Sequence, residues 1–467
     1  MNTLTFNKNI TDRQRRTFWL TVMLINFFVQ FLWESQSVYA AFVSPSLCFA
    51  LNVIFVGIYM RKRVYKQKRI YILALCFLGW YVICCIGNGA FRDEPENTLK
   101  TLAQLLSSWA LALPFVTVNE DFEKKRALTV LFSILTVIFI AAVWAALIPT
   151  FMGSFFSFPI GKKIFGIAPV YIRGYGVSFT YPVIFGLYYY YTAHLCAPAF
   201  FMALYLFIQK KMRPLMLFGM LGFVLALSMT KCRLALLGFG IGLFAFGFFL
   251  FRNKNRDASP GKTILTGVVI ALAAALVLTL MWQFGTWIST VILAGEKTEH
   301  LKRTFSNHLL DGSGRLGLWT MIPDLLKDKA PTSYLFGIRP DVLSRLIEDK
   351  ANLPHIHSGY FTALLRMGIP GFLLALTFAF MIVKNILFIF LQMKKRSIRN
   401  DDLLLLSIPL CLLFTALGEP ILFVGYNFRM ITLVCYLVFG YTFELTDRIR
   451  EEELSRGNSE YGIRFTE

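Results

Sequence analysis

Apolar runs of membrane-spanning length fill most of this chain and leave little freedom in what it can fold into. A helix rises about 1.5 Å per residue, so roughly 20 apolar residues cross a hydrocarbon core. Such runs fall near residues 17–34, 39–60, 70–90, 100–118, 127–148, 179–208, 214–231, 234–251, 263–284, 369–391, 402–418 and 421–443. With 56% apolar and 16% charged residues over 467 positions, a soluble globular enzyme is excluded. The predicted class is an all-α polytopic membrane protein of about 12 transmembrane helices. A transmembrane domain covers residues 1–446, and a charged cytoplasmic tail over 447–467 is read as partly disordered. The first run, Phe18–Leu32, follows Arg13, Arg15 and Arg16 and resembles a signal sequence. It is long for one and more spans follow, so it is read as an uncleaved helix.

The distribution of charge sets the orientation. A net charge of +20 could suggest nucleic acid, but the basic residues cluster beside apolar runs, as the positive-inside rule expects, so no nucleic-acid partner is expected. Such clusters include Arg61-Lys62-Arg63, Lys124-Lys125-Arg126, Lys210-Lys211 and Lys394-Lys395-Arg396. Placing them, and both termini, in the cytoplasm leaves the short opposite loops nearly free of Lys and Arg. The sixth run is too long for one straight span. Either Pro198 kinks it or a short re-entrant turn sits near His194–Ala199. All eight cysteines lie in or beside apolar runs, which fits neither a disulfide framework nor a metal site.

Two outer segments are then large enough to build a site: Pro149–Ser178, and the loop 285–357 between the ninth and tenth spans. The second should contain short helices, for example Arg315–Leu326 and Pro340–Glu348. It carries Asp311-Gly312-Ser313-Gly314-Arg315 and, at its end, His355-Ile356-His357-Ser358-Gly359-Tyr360. Ionisable groups at a membrane face are functional candidates when they are not anchors. Arg233, beside Lys231 at the outer end of the seventh run, reads either as a snorkelling anchor or as a fork for a diphosphate. Arg315 reads as the start of a helix capped by Ser313, which is compatible with anion binding. His357 is either a general base at the membrane surface or an interfacial histidine bonded to backbone. His355 could complete a metal pair with it, but no third ligand stands at a suggestive spacing, and neither metal nor cofactor is expected. Arg173 is a loop cation with or without a ligand. Glu419 and Arg429 are expected to form a structural ion pair.

These residues resemble the O-antigen ligase and polymerase family. Gly312-Ser-Gly-Arg315-Leu-Gly-Leu-Trp319 is similar to the family's arginine-plus-tryptophan segment. His357-Ser-Gly-Tyr360-Phe, with Gly368 eleven residues after the histidine, is similar to its histidine box, and that spacing selects His357 over His355. Thr230-Lys231-Cys232-Arg233 is similar to a Thr-x-Ser-Arg turn, and Arg173-Gly-Tyr-Gly to an earlier arginine box. Ser358 and Cys232 depart from the family's usual Asn and Ser without removing a charge. The resemblance runs from Arg173 to Gly371. It implies metal-independent glycosyl transfer from a polyprenyl-diphosphate-linked glycan to a glycan acceptor, at the outer face of a bacterial cytoplasmic membrane. In that scheme His357, Arg315 and Arg233 are catalytic, while Arg173, Lys231, Tyr360 and Trp319 bind substrate. A polymerase is favoured over a ligase that moves finished glycan to lipid A core or another acceptor, and a chain-length regulator is a further partner. The contrasting reading, a flippase of lipid-linked sugars, calls for broken mid-membrane helices in matching halves, which the sequence does not display.

Overall fold

A computed structural model describes residues 12–34, 47, 49–54, 68–116, 124–151, 158–160, 163–172, 177–183, 189–230, 232–293, 315–327, 331–351, 356–423 and 429–460. In chain order the helices are α1 (Asp12–Glu34), α2 (Lys68–Gly87), α3 (Ala90–Asp93), α4 (Pro95–Val116) and α5 (Lys124–Phe151). Strands β1 (Phe158–Ile160), β2 (Lys163–Ile172) and β3 (Val177–Val183) follow. Next come α6 (Tyr189–Ile208), α7 (Arg213–Thr230), α8 (Arg233–Lys254) and α9 (Pro260–Leu293). The polar insert holds α10 (Arg315–Thr320), α11 (Ile322–Lys327), α12 (Thr332–Phe336) and α13 (Pro340–Ala351). The chain closes with α14 (Gly359–Gln392), α15 (Asn400–Gly418) and α16 (Arg429–Glu460).

Among the described residues, seven helices are long and apolar enough to cross a membrane: α2, α5, α7, α8, α9, α14 and α15. Shorter apolar stretches occupy Thr17–Val29 in α1 and Thr192–Ile208 in α6. Helices α4 and α16 fill two further expected spans, whereas most of 39–60 lies outside the described residues. The surface of α9 identifies the solvent. Ile264 is 68% exposed and Leu272 64%, on a helix with almost no buried side chains. Such a surface is stable against lipid and not against water.

Two features depart from the all-α reading of the sequence. Residues 158–183 form a three-stranded antiparallel sheet in order β1-β2-β3, with Ile172 opposite Val177 and Gly166 opposite Val183. The expected sixth span, 179–208, is therefore β3 followed by a helix that starts at Tyr189 and carries Pro198 inside it. Hydropathy cannot separate a β-branched, aromatic strand such as Val-Ser-Phe-Thr-Tyr-Pro-Val from the start of a span. The second departure is that α9 runs on to Leu293, into the segment 285–357 taken as loop, and that α14 starts at Gly359, ahead of the expected span 369–391.

Polar contacts gather at the two ends of the bundle. At one end, Lys125 bridges Asp401 at 2.8 Å and Asp402 at 2.5 Å. Gln209 donates to Asp401 at 3.1 Å and the Tyr441 hydroxyl donates to Asp402 at 2.7 Å. Lys124 pairs with Glu444 and Arg396 with Glu452. The last of these holds a helix where the sequence suggested a partly disordered tail, for α16 continues through its charged half to Glu460. Arg450 stands 3.9 Å from Asp447 one turn away on the same helix. Between the ends, Asn26, Asn52 and Ser107 bond one another at 2.8–3.0 Å, a satisfied polar knot that fixes α1 against α4. Close helix approach uses small residues: Gly238 of α8 lies against Cys411 and Thr415 of α15.

Candidate functional site

The opposite end of the bundle carries the insert, which builds its own small core. Leu318, Ile322, Leu325, Leu326, Ile338, Leu343 and Ile347 bury against Ile356 and Leu365. The insert is thereby packed on the first turns of α14. Short helices arise at α10–α11 and α13, close to the stretches expected from sequence, and α12 joins them. Backbone contacts lock the dock: Ile338 N–H donates to Leu365 O at 2.6 Å, and Trp80 Nε1–H of α2 donates to Met367 O at 2.8 Å. The Arg339 guanidinium pairs with Asp93 and, at 2.5 Å, with Asp341. That guanidinium, working against partial burial, holds the Asp341 carboxyl below its ordinary range.

The glycine of the histidine box has a physical reason for its place. Gly368 has φ 65° and ψ −171°, a break inside α14. That conformation is open essentially only to glycine. A Cβ on Gly368 would strike the Leu335 carbonyl, and one on Gly337 (φ 73°, ψ −174°) would strike the Arg366 carbonyl. Two backbone segments therefore cross in contact, and the interval from His357 to Gly368 is the half-helix between the site and that crossing.

His357 itself has φ 50°, in the left-handed region that histidine enters more readily than most residues. Ser358 follows as the N-cap of α14, its hydroxyl accepting from Phe361 N–H at 3.3 Å. A Cβ on Gly359 would meet the carbonyls of Ala416 and Glu419 at 3.4 Å, which brings the start of α14 against the end of α15. His357 Nδ1 then lies 3.4 Å from Glu419 Oε2. The side chain of Glu419 is 1% exposed and that of His357 17%. The second carboxylate oxygen, Oε1, is 3.9 Å from His194 Nε2 of α6, and His194 Nε2 is 3.7 Å from Cys232 Sγ. Burial opposes ionisation of Glu419, but the hydrogen bonds and charge of His194 and His357 outweigh it and hold the carboxyl well below the ordinary range.

This line of contacts joins four elements: His357 before α14, Glu419 after α15, His194 on α6 and Cys232 at the N-cap of α8. Arg233 is the first residue of α8 and half-buried, so the arginine turn and the histidine box meet at one end of the bundle. Trp319 Nε1–H donates to Ile356 O at 3.3 Å, and its ring stands 5.4 Å from Phe361, beside the histidine. Tyr360 is buried with its ring 5.4 Å from Phe423. Arg315 begins α10. Arg173, Lys231 and His355 lie outside the described residues. Strand β3 runs beside α5, α6, α7 and α9, and Arg173 falls in the connection between β2 and β3.

Glu419, which the sequence reading paired with Arg429, is engaged by two histidines, one of them 225 positions earlier in the chain; the Arg429 side chain lies outside the described residues. His194 was noted only as the place of a turn. The available signals were an imidazole in an otherwise apolar run and an acid at the end of a span, both of which are rare unless paired. Separation along the chain hid that they pair with each other.

Residues 215–376 match a protein-family model described as O-Antigen ligase. The match begins in α7, contains Arg233, Arg315, Trp319, His357, Tyr360 and Gly368, and supports the O-antigen ligase and polymerase family. It leaves out Arg173, His194 and Glu419. No curated protein and no solved structure matches the chain.

Proposed function

We propose that this protein is a membrane glycosyltransferase that joins polyprenyl-diphosphate-linked oligosaccharide repeats into polymer, without a metal ion. The observation that carries the proposal is that His357, inside a segment matched to the O-antigen ligase family, pairs with Glu419, which lies beyond that segment. An imidazole whose Nδ1 faces a buried carboxylate keeps Nε2 for a proton acceptor's work. The acceptor hydroxyl oxygen attacks the anomeric carbon of the donor, the bond from that carbon to the diphosphate oxygen breaks, and the electron pair leaves with the diphosphate. The hydroxyl proton passes to His357 Nε2. Arg233, at the N-terminus of α8, and Arg315, at the start of α10, hold the diphosphate and neutralise charge gathering on it. Arg173 and Lys231 assist in that binding, and Trp319 and Tyr360 line the sugar side.

The basic clusters Lys124-Lys125, Lys210-Lys211 and Lys394-Lys395-Arg396 lie at the end of the bundle remote from His357, which under the positive-inside rule supports a site on the outer face of the cytoplasmic membrane. A second reading is that of a ligase, favoured by the description of the matching family model.

Reconstitution in nanodiscs with a polyprenyl-diphosphate-linked oligosaccharide tests both. A ladder of lipid-linked products from donor alone is the expected result. Product only on addition of lipid A core would make the protein a ligase. Movement of donor across a vesicle wall with no new glycosidic bond would refute glycosyl transfer. Arg233→Lys and Arg315→Lys should each weaken donor binding as well as turnover, since lysine keeps the charge and loses the bidentate fork.

A further inference from the structure

We infer that the protein holds one anionic phospholipid of the cytoplasmic leaflet. Its acyl chain fills an aromatic cavity between α2, α4, α14 and α16, and its headgroup meets the basic run 61–69. This site is separate from the one around His357 and does not depend on the reaction assigned there.

The cavity opens where α2 leaves its neighbours. Toward the His357 end α2 is tied in, with Trp80 Nε1–H donating to Met367 O and Gly87 packed on the Phe336 ring. Its first turn, at Ile70 and Tyr71, lies about 15 Å from Trp80 along the helix. There α2 lines about 640 Å³ of unfilled space, part of it open to the surroundings, together with Trp109 of α4, Phe378 of α14 and Phe443 of α16. Ligand pockets occupy roughly 300–1,000 Å³. Phe443 precedes Glu444, the partner of Lys124, so the cavity lies at the end of the bundle that carries the basic clusters. Leu75 is in its wall and 50% exposed, so the cavity reaches the lipid-facing surface.

Walls of this kind take a hydrocarbon. An apolar cavity stays dry, and an empty one forfeits the dispersion contacts of its lining. Two observations select the lipid. The first is charge. Arg61, Lys62, Arg63, Lys66, Lys68 and Arg69 place six cations in nine residues that lead directly into the cavity wall, and no Asp or Glu occurs from Ser35 to Arg92. Arg69 is exposed and has no carboxylate partner among the described residues. The connection after α4 brings Glu120, Asp121 and Glu123 to the same end, half of what would offset the six. Basic clusters beside a membrane helix attract anionic headgroups, at about fivefold in affinity per charge.

The second observation is an orphan donor. Trp109 Nε1–H is buried without a hydrogen-bond partner, on a residue of the cavity wall about 10 Å from the end of α4 at Val116. A glycerophospholipid carries an accepting ester carbonyl at the head of each acyl chain, whereas a polyprenyl chain carries none.

Native mass spectrometry of the full chain, titrated with phosphatidylglycerol and separately with phosphatidylethanolamine of the same acyl chains, reads the site. One phosphatidylglycerol should bind about tenfold or more tighter than phosphatidylethanolamine. Lys68→Gln combined with Arg69→Gln should lower that affinity roughly 25-fold and leave phosphatidylethanolamine unchanged. Ala74→Phe, whose ring enters the cavity, should remove the tight position with all six cations in place. Equal binding of the two phospholipids, a double variant that binds as the parent does, or a preference that survives Ala74→Phe would each overturn the inference. Displacement of phosphatidylglycerol by a polyprenyl phosphate would also overturn it, by giving the cavity to the tail of the glycan donor. The comparison of the two phospholipids uses the unaltered chain, so it stands if a variant fails to fold. No glycan turnover is read, so an error in the assigned reaction would leave the result unchanged.

Discussion

Replacing Gly368 by alanine should undock the insert from α14 while leaving the rest of the bundle folded. Its φ of 65° and ψ of −171° cost a side-chain-bearing residue about 1–3 kcal/mol. The added Cβ would also strike the Leu335 carbonyl, which is backbone and cannot rotate aside. Displacing a packed neighbour costs a further ~1–3 kcal/mol, for a total of roughly 2–6 kcal/mol. That loss falls on the junction made by Ile338 N–H to Leu365 O and Trp80 Nε1–H to Met367 O. Hydrogen exchange by mass spectrometry in nanodiscs reads it. Peptides covering 331–338 and 365–368 should exchange roughly thirtyfold faster or more, while α8 and α15 remain protected. Gly368→Asn should not rescue, because asparagine suits left-handed helix geometry and not this region of the backbone map. Gly79→Ala, facing open space within α2, serves as the control and should be silent. Exchange in Gly368→Ala indistinguishable from the parent would refute the reasoning.

Other outcomes follow from the same structure. The carboxyls of Glu419 and Asp341 are held below their ordinary values when folded, so each contributes stability above the unfolded value that is lost as pH falls through the folded one. Thermal stability in detergent should be level from neutrality down to about pH 5 and decline below ~4.5, less steeply in Glu419→Gln. With a membrane-impermeant thiol reagent, Lys297→Cys and Lys327→Cys should label from outside the cell and Lys210→Cys and Lys394→Cys only after lysis; outside labelling of Lys210→Cys would overturn the orientation. Turnover should persist in EDTA, and its loss with recovery on adding zinc or magnesium would restore His355 and His357 as metal ligands.

The membrane class was legible because α2, α5, α7, α8, α9, α14 and α15 each carry an apolar run that depends on no other part of the chain. The insert helices were legible for a similar local reason, in that their boundaries follow residues such as Arg315 and Pro340. What escaped depended on distance. The strand Val177–Val183 adjoins the apolar run that continues into α6, and its pairing is with Lys163–Ile172. The charged half of α16 is helical, and Arg396 and Lys395, more than fifty positions earlier, pair with Glu452 and Glu453 on it. The same holds at the site. His357 and Arg233 stood out by local pattern, whereas Glu419 and His194 acquire their meaning only where the ends of α15 and α6 meet. Gly368 was legible as a position in a pattern, and its reason, the carbonyl of Leu335, was not.

The most direct test of the account compares His357→Ala with His355→Ala in nanodiscs, measuring donor binding and polymer formation on the same lipid-linked oligosaccharide. His357→Ala should bind donor nearly as the parent does and lose turnover by about 10²–10⁴-fold, the usual cost of removing a general base. His355→Ala should retain most of its activity. A dead His355→Ala beside an active His357→Ala would contradict the assignment of the base, and with it the chemistry built on the pairing with Glu419.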